Sequence, residues 1–451
     1  MSNYSEQDLP NQQKGLPMKY QIYALHNFRQ IPQIAKLSED DQFIIEVVGT
    51  VLPFKTNSYV VNELIDWDHF KKDPIFILNF PQKGMLNEAD FNHMAKVLKS
   101  GADKATIKEE ANKIREKLNP HPAGQVEYNV PEYQGVKLTG VQHKYNETML
   151  FFPTQGQTCH SYCTFCFRWP QFTNMDEVKF AMKEIDYVIG YLREHTEITD
   201  LLITGGDPMV MKGKILDDYL TALIDADIPH LRNIRIGSKT LGFWPYRYLT
   251  DEDADILLGA FEKVTKAGIS IAFMAHFNHY RELETEAVQL AIKKIRATGA
   301  QIRTQSPILN NINAKPEVWS TMWQKQVELG LIPYYMFIAR DTGAQEYFGV
   351  SLEDAWNIFQ KAYTKVSGIC RTVRGPSMSC TPGKVRVAGV TELKGEKAFV
   401  LEFIQGRNSD WVARPFFAKY DPNARWMDDL IPAFGQEQFF FEEEMSEMFL
   451  Q

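Results

Sequence analysis

The chain has 451 residues, 44% hydrophobic and 24% charged, with a formal net charge of −8; this is ordinary globular composition with length for a large core, and the lack of a basic stretch argues against a nucleic-acid partner. Residues 1–15 are polar and unlike a signal peptide, and no apolar run approaches the ~20 residues of a membrane span. Three of the five cysteines are clustered and two scattered, which fits a reducing, cytoplasmic setting better than a disulfide framework.

Along the chain, segment 88–118 reads as a helix broken at Gly101, and 121–140, rich in Pro and Gly, as an extended connector. An alternation begins near residue 147. Strands are expected at 148–154, 200–205, 233–237, 270–276, 301–306 and 333–339. Between them, 177–193, 215–225, 252–267, 284–298, 316–329 and 352–366 have helical period. In the first of these, Val178, Ala181, Met182, Ile185, Val188, Ile189 and Leu192 recur at the spacing of one buried face. Six βα units in a row imply parallel strands with helices outside. The expected fold is therefore α/β, an open, partial (β/α)6 barrel over 146–385. A mainly helical region with the connector precedes it (1–145), and a C-terminal extension follows (386–451). In that extension, VRVAGVTELKGEKAFVLEFI predicts a hairpin turning at Lys394–Glu396, and 437–451 a short amphipathic helix docked on the body.

The chemistry concentrates in GQTCHSYCTFCFRWPQF (156–172), where Cys159, Cys163 and Cys166 follow the spacing C-x3-C-x2-C just after the first strand. Strand ends and the loops after them form the active face of parallel α/β folds. A disulfide leaves the third cysteine over. A structural zinc site wants four ligands; His160 or His279 could be the fourth, but no second knuckle is visible. An iron–sulfur cluster is the remaining reading: three thiolates on four irons leave one iron open for reaction. After the second strand, LLITGGDPMVM places Gly205, Gly206 and Asp207 at the strand end, where glycines permit close backbone approach and a carboxylate could meet an ammonium.

The cysteine spacing, with aromatic Phe165 before the last cysteine, resembles the motif of the radical SAM superfamily. The resemblance narrows further. TGVQHKYNETMLFFPT, LLITGGDPMV, RIGSKT, HFNH, RTQS, PYYMFIARD and TPGKV occur in the order found in the lysine 2,3-aminomutase family, over roughly residues 85–405. The resemblance implies a 4Fe-4S cluster on Cys159, Cys163 and Cys166. It implies S-adenosylmethionine (SAM) at Phe165, Gly205, Gly206, Asp207 and His276. It implies pyridoxal phosphate (PLP) at Lys384, which would carry the cofactor as an imine, with Gln305 and Ser238. It implies a free amino acid substrate, its carboxylate held by Arg168 and its distal end by Asp341; Asn278 and His279 would line the pocket with His276. The activity implied is an isomerisation that moves an α-amino group to the β-carbon after a 5′-deoxyadenosyl radical removes a hydrogen. A one-electron reductant such as flavodoxin or ferredoxin is implied, and a homo-oligomer is compatible with the family.

Three positions depart from the family's pattern. A second aspartate used by the lysine enzymes is Ser377 here, so the expectation is a substrate other than lysine, or a lysine whose far end is read differently. The arginine that meets the PLP phosphate is Thr148, which supplies no charge. A C-terminal cysteine cluster that binds zinc between subunits has no counterpart after Cys380. Thr148 keeps open a PLP-independent radical SAM enzyme, and the cysteines alone keep open a non-catalytic metal-binding protein.

Overall fold

The computed structural model describes residues 18–119, 129–173, 181–393 and 395–450. An eleven-stranded mixed sheet organises it. In chain order its strands are β1 (Val141–Tyr145), β2 (Thr148–Phe151), β3 (Asp200–Ile203), β4 (Asn233–Ser238), β5 (Ser270–His276), β6 (Gln301–Ile308), β7 (Ile332–Ile338), β8 (Arg374–Ser379), β9 (Gly383–Leu393), β10 (Glu396–Gly406) and β11 (Pro415–Lys419). Their spatial order equals their sequence order, and β1 and β11 are the edges. Strands β2 to β8 pair in parallel, while β1, β9, β10 and β11 join antiparallel.

The six expected strands correspond to β2 to β7. Helices Ile185–Glu194, Gly213–Asp225, Ala254–Lys266, Glu286–Ala297, Pro316–Glu328 and Leu352–Thr364 connect successive parallel strands. Residues 177–180 of the first expected helix lie outside the described residues, as do Lys394 of the hairpin turn and 121–128 of the connector. Beyond the expectation, β8 adds a seventh parallel strand. Strand alternation sets which side chains face which way. In β4, Ile234, Ile236 and Ser238 are buried on one face, and Arg235 and Gly237 are half-buried on the other.

The N-terminal region is helical at Glu39–Val51, Glu88–Lys99 and Lys104–Leu118. Ser38, Asn87 and Asp103 each accept a backbone N–H from the first turn of the helix they precede, which satisfies donors that a helix start leaves open. The break at Gly101 is real; its φ of +71° suits glycine alone at low cost. One hydrophobic cluster runs from Tyr23 through the sheet to Phe441, so all three expected segments share a core. The tail forms helix Glu442–Leu450, with Phe439 and Phe441 buried ahead of it. Among the described residues no helix is long and apolar enough to cross a membrane.

Candidate active site

The cysteine loop follows β2 and is held from behind by the N-terminal region. Lys55 Nζ donates to the Cys159 carbonyl at 2.6 Å and to Thr158 Oγ1 at 3.3 Å. Asn57 Nδ2 donates to the His160 carbonyl (3.1 Å) and to Phe243 O (2.9 Å). Ser161 Oγ reaches Asn79 Oδ1 at 2.8 Å, and Thr164 Oγ1 donates to Ile77 O at 2.8 Å. The backbone N–H groups of Tyr162 and Thr164 donate to Lys55 O and Leu78 O. A loop with little regular structure thus has its backbone groups satisfied by distant residues, and its shape is fixed.

The three thiols are half-buried and feel one another. Burial raises Cys159, with Asp207, Cys166 and Cys163 adding to the rise. Burial also raises Cys163, and lifts Cys166 to about 11. No three His, Cys, Asp or Glu side chains among the described residues are grouped so as to hold a metal ion.

The loop after β3 packs directly on the cysteine loop. A Cβ at Gly206 would lie 2.5 Å from Thr158 O, and one at Gly205 would lie 2.7 Å from Gly156 O. The glycines are required for backbone-on-backbone contact between the two loops. Asp207 is 2% exposed. Its Oδ2 accepts from Lys239 N–H (2.9 Å) and Thr240 Oγ1 (3.0 Å), and its Oδ1 from Met209 N–H (3.0 Å). It works as a buried anchor between loops. Ser238 sits on the buried face of β4, opposite Arg235, and its Oγ accepts from Thr240 N–H at 3.0 Å, beside the Asp207 anchor.

His276 ends β5 with its ring edge-on to Phe165, centroids 5.7 Å apart. Its Nε2 is buried without a partner among the described residues, and burial followed by Lys239 holds the ring neutral. Beneath it lies an ion pair the sequence did not reveal: Lys239 Nζ to Glu282 Oε1 at 2.6 Å, with Glu282 fully buried. Glu282 Oε2 also accepts from the N–H groups of Asn278 and His279. His279 itself caps the next turn by accepting from Arg281 N–H, and Asn278 Nδ2 donates to Ser306 Oγ.

The other end of the site lies on the antiparallel hairpin. Lys384, on β9, stands over the Tyr335 ring at 4.2 Å, with Phe337 at 5.6 Å and Tyr145 at 5.7 Å. Its Nζ donates to Gln405 Oε1 at 3.0 Å. Burial, then Arg235 and Arg374, lower it from 10.5 to about 7. A second lysine behaves alike. Lys144, on β1, donates to the Cys380 carbonyl, and burial lowers it to about 7. Gln305 is half-buried on β6, paired with His276 in register. Arg168 lies over the Phe152 ring at 4.5 Å. Asp341 is half-buried just beyond β7. Thr148 is buried and turned to Asp200, its Oγ1 at 3.4 Å.

No family model matches the chain. A protein of Aquifex aeolicus (strain VF5) named "Putative L-lysine 2,3-aminomutase" is 33% identical over 419 residues, 92% of this chain and 96% of that one. The chain belongs to the lysine 2,3-aminomutase family. The glutamate 2,3-aminomutase of Clostridioides difficile (strain 630) is 30% identical over 213 residues, 47% of each chain. The L-lysine 2,3-aminomutase of Escherichia coli (strain K12) is 28% identical over 239 residues, 52% of this chain and 65% of that one. Membership of this radical SAM family implies an isomerase with a 4Fe-4S cluster and SAM. Lys55, Asn57, Lys144, Lys239, Glu282 and Arg340 pack in or against this region and were given no role by the sequence reading. Lys144, Lys239 and Arg340 lie inside the quoted motifs, but it is their partners, distant in sequence, that give them a place.

Proposed function

We propose that this chain is a PLP-dependent radical SAM amino acid 2,3-aminomutase built on a partial (β/α)6 barrel. The observation that carries the reading is Lys384: an amine lowered to about 7 and framed by Tyr335, Tyr145 and Phe337. An imine-forming lysine must be neutral and desolvated, whereas a surface lysine is neither.

The residues present fit the three groups the reading needs. Cys159, Cys163 and Cys166 would hold the cluster. A zinc ion draws its ligands to one centre at about 2.3 Å. A cubane takes each thiolate on its own iron, so three thiols on one loop can serve it and leave the fourth iron open. The buried, unpartnered Nε2 of His276 beside Phe165 marks a polar position awaiting a ligand on the cysteine side, where SAM would bind along the glycine backbone of 205–206. Lys384 would hold PLP. Lys144 would supply positive charge in place of the family's arginine at Thr148, and Gln305 would add a hydrogen bond. When bound, PLP supplies a π bond through which nitrogen can pass between carbons. The chain's own part is positional. Arg168 offers a guanidinium fork to the substrate carboxylate, and the N-terminal clamp fixes the radical source.

The test is anaerobic. The protein is reconstituted with iron, sulfide and PLP, then given SAM, a reductant and a pool of the twenty amino acids. Mass spectrometry follows 5′-deoxyadenosine and any β-amino isomer. The expected result is a β-amino acid that disappears in Cys163→Ala and in Lys384→Ala. Deoxyadenosine without an isomer, in a protein that takes up no PLP, would favour the PLP-independent reading instead.

A further inference from the structure

The site holds a run of cations. Arg168 and Arg340 flank the same ring, their guanidinium carbons 5.5 Å and 5.0 Å from the Phe167 centroid. Arg340 Nη2 donates to the Ser379 carbonyl at 2.8 Å, and Lys144 donates to the next carbonyl, that of Cys380. Tyr145, adjacent to Lys144 in the chain, presents its ring to Lys384. Arg168, Arg340, Lys144 and Lys384 therefore follow one another from the cysteine loop to β9. Each repels the next: Arg340 acts on Arg168, and Arg340 and Lys384 act on Lys144.

Such a run is costly unless anions complete it. Among the described residues, the arginines in ion pairs are Arg29, Arg235, Arg247, Arg281, Arg386 and Arg425, and neither Arg168 nor Arg340 is one of them. The carboxylate acting on Arg340 is that of its neighbour Asp341. One carboxylate does not balance the two arginines. The ring between the two arginines is 44% exposed, so the position is open to a ligand. Ser377, at the place of the family's second aspartate, is fully buried in β8 and adds no negative charge.

Resting on the aminomutase reading, we infer that the substrate is an α-amino acid with a second carboxylate on its side chain: Arg168 takes the α-carboxylate and Arg340 the distal one. An ammonium at the distal end would face Arg340 and be repelled, and a neutral side chain would leave the guanidinium unpaired; either penalty is enough to decide specificity.

The test uses the reconstituted holoenzyme with L-glutamate, L-aspartate, L-lysine and L-leucine offered singly. Turnover is read as β-amino isomer, and binding by calorimetry without reductant, so that no reaction runs. Glutamate or aspartate is expected to be isomerised with kcat/KM at least about 100-fold above lysine and leucine, and to bind correspondingly tighter. Arg340→Asp should reduce turnover of the acid by about 100-fold or more and raise that of lysine, while Arg340→Lys should keep part of the preference. Iron content and circular dichroism of each variant confirm folding. Efficient conversion of lysine or leucine without conversion of the acids overturns the inference and leaves the aminomutase standing. Failure to isomerise any amino acid, with deoxyadenosine still formed, overturns the aminomutase reading and the inference with it.

Discussion

The two ends of the site are held by different means. At the cysteine end, hydrogen bonds from Lys55, Asn57, Ser161 and Thr164 fix a loop against residues more than eighty positions away, and glycines let a second loop lie directly on it. At the Lys384 end burial, then neighbouring cations, set the charge state of an amine that stands among aromatic rings. One end is built for shape and the other for electrostatics. A cluster needs three sulfurs in fixed positions, and geometry supplies that. An imine needs a neutral amine, and burial among cations supplies that.

This contrast predicts separable failures. The largest effect should follow Cys163→Ala: deoxyadenosine formation falls to background, as measured by mass spectrometry, while PLP uptake, measured by absorbance, is unchanged. Next is Lys384→Ala, which should reverse the pattern. Isomer formation is expected to fall by more than about 1,000-fold, roughly 4 kcal/mol of barrier, with iron content intact. Loss of iron in Lys384→Ala would show that the two ends are not independent.

The electrostatic end also predicts a pH dependence. Only the neutral amine adds to PLP, so loading of the apo-protein should rise from pH 6 to 8 with a midpoint near 7. Between about 7 and the ordinary 10.5, the folded protein holds fewer protons on Lys384 than the unfolded chain does. Stability must therefore rise with pH across that window, and Lys144 adds to the same slope. Pulse loading at fixed PLP checks the midpoint; one near 10 would mean that Lys384 is solvated.

Legibility followed the same division. The parallel strands were readable because each is a short apolar run between helical periods, and the cysteines because a cluster motif is local in sequence. Strand β8 was not readable: RGPSMS carries Gly, Pro and Ser, poor strand formers, and it is a strand because β7 and β9 pair with it on either side. Lys144 in QHKYNET reads as a solvated lysine until β1 is placed beside the β8–β9 turn. The RIGSKT motif does not give Ser238 a strand face; alternation with Arg235 does.

A smaller effect is expected beneath the cysteine end. Glu282→Gln leaves the buried Lys239 without its counter-charge and turns an amide N–H₂ toward backbone donors. Removing one partner of a buried pair costs about 3–5 kcal/mol, so the denaturation midpoint should fall clearly in a chemical unfolding experiment. SAM cleavage should survive at low temperature, where the fold is retained, because Glu282 meets no cofactor group in the proposed arrangement.

The mildest substitution tests the clamp itself. Asn57→Ala removes the donors to His160 O and Phe243 O, and the acceptor for the N–H groups of Tyr59 and Val60. Buried groups left unpaired cost about 1–3 kcal/mol. If the clamp exists for shape, that loss should appear more strongly in cluster retention than in global stability: iron per chain after gel filtration should drop while the unfolding midpoint moves only slightly. Equal loss of both would make Asn57 a general core residue. Loss of PLP instead of iron would contradict the division between the two ends, because Asn57 touches only the cysteine side.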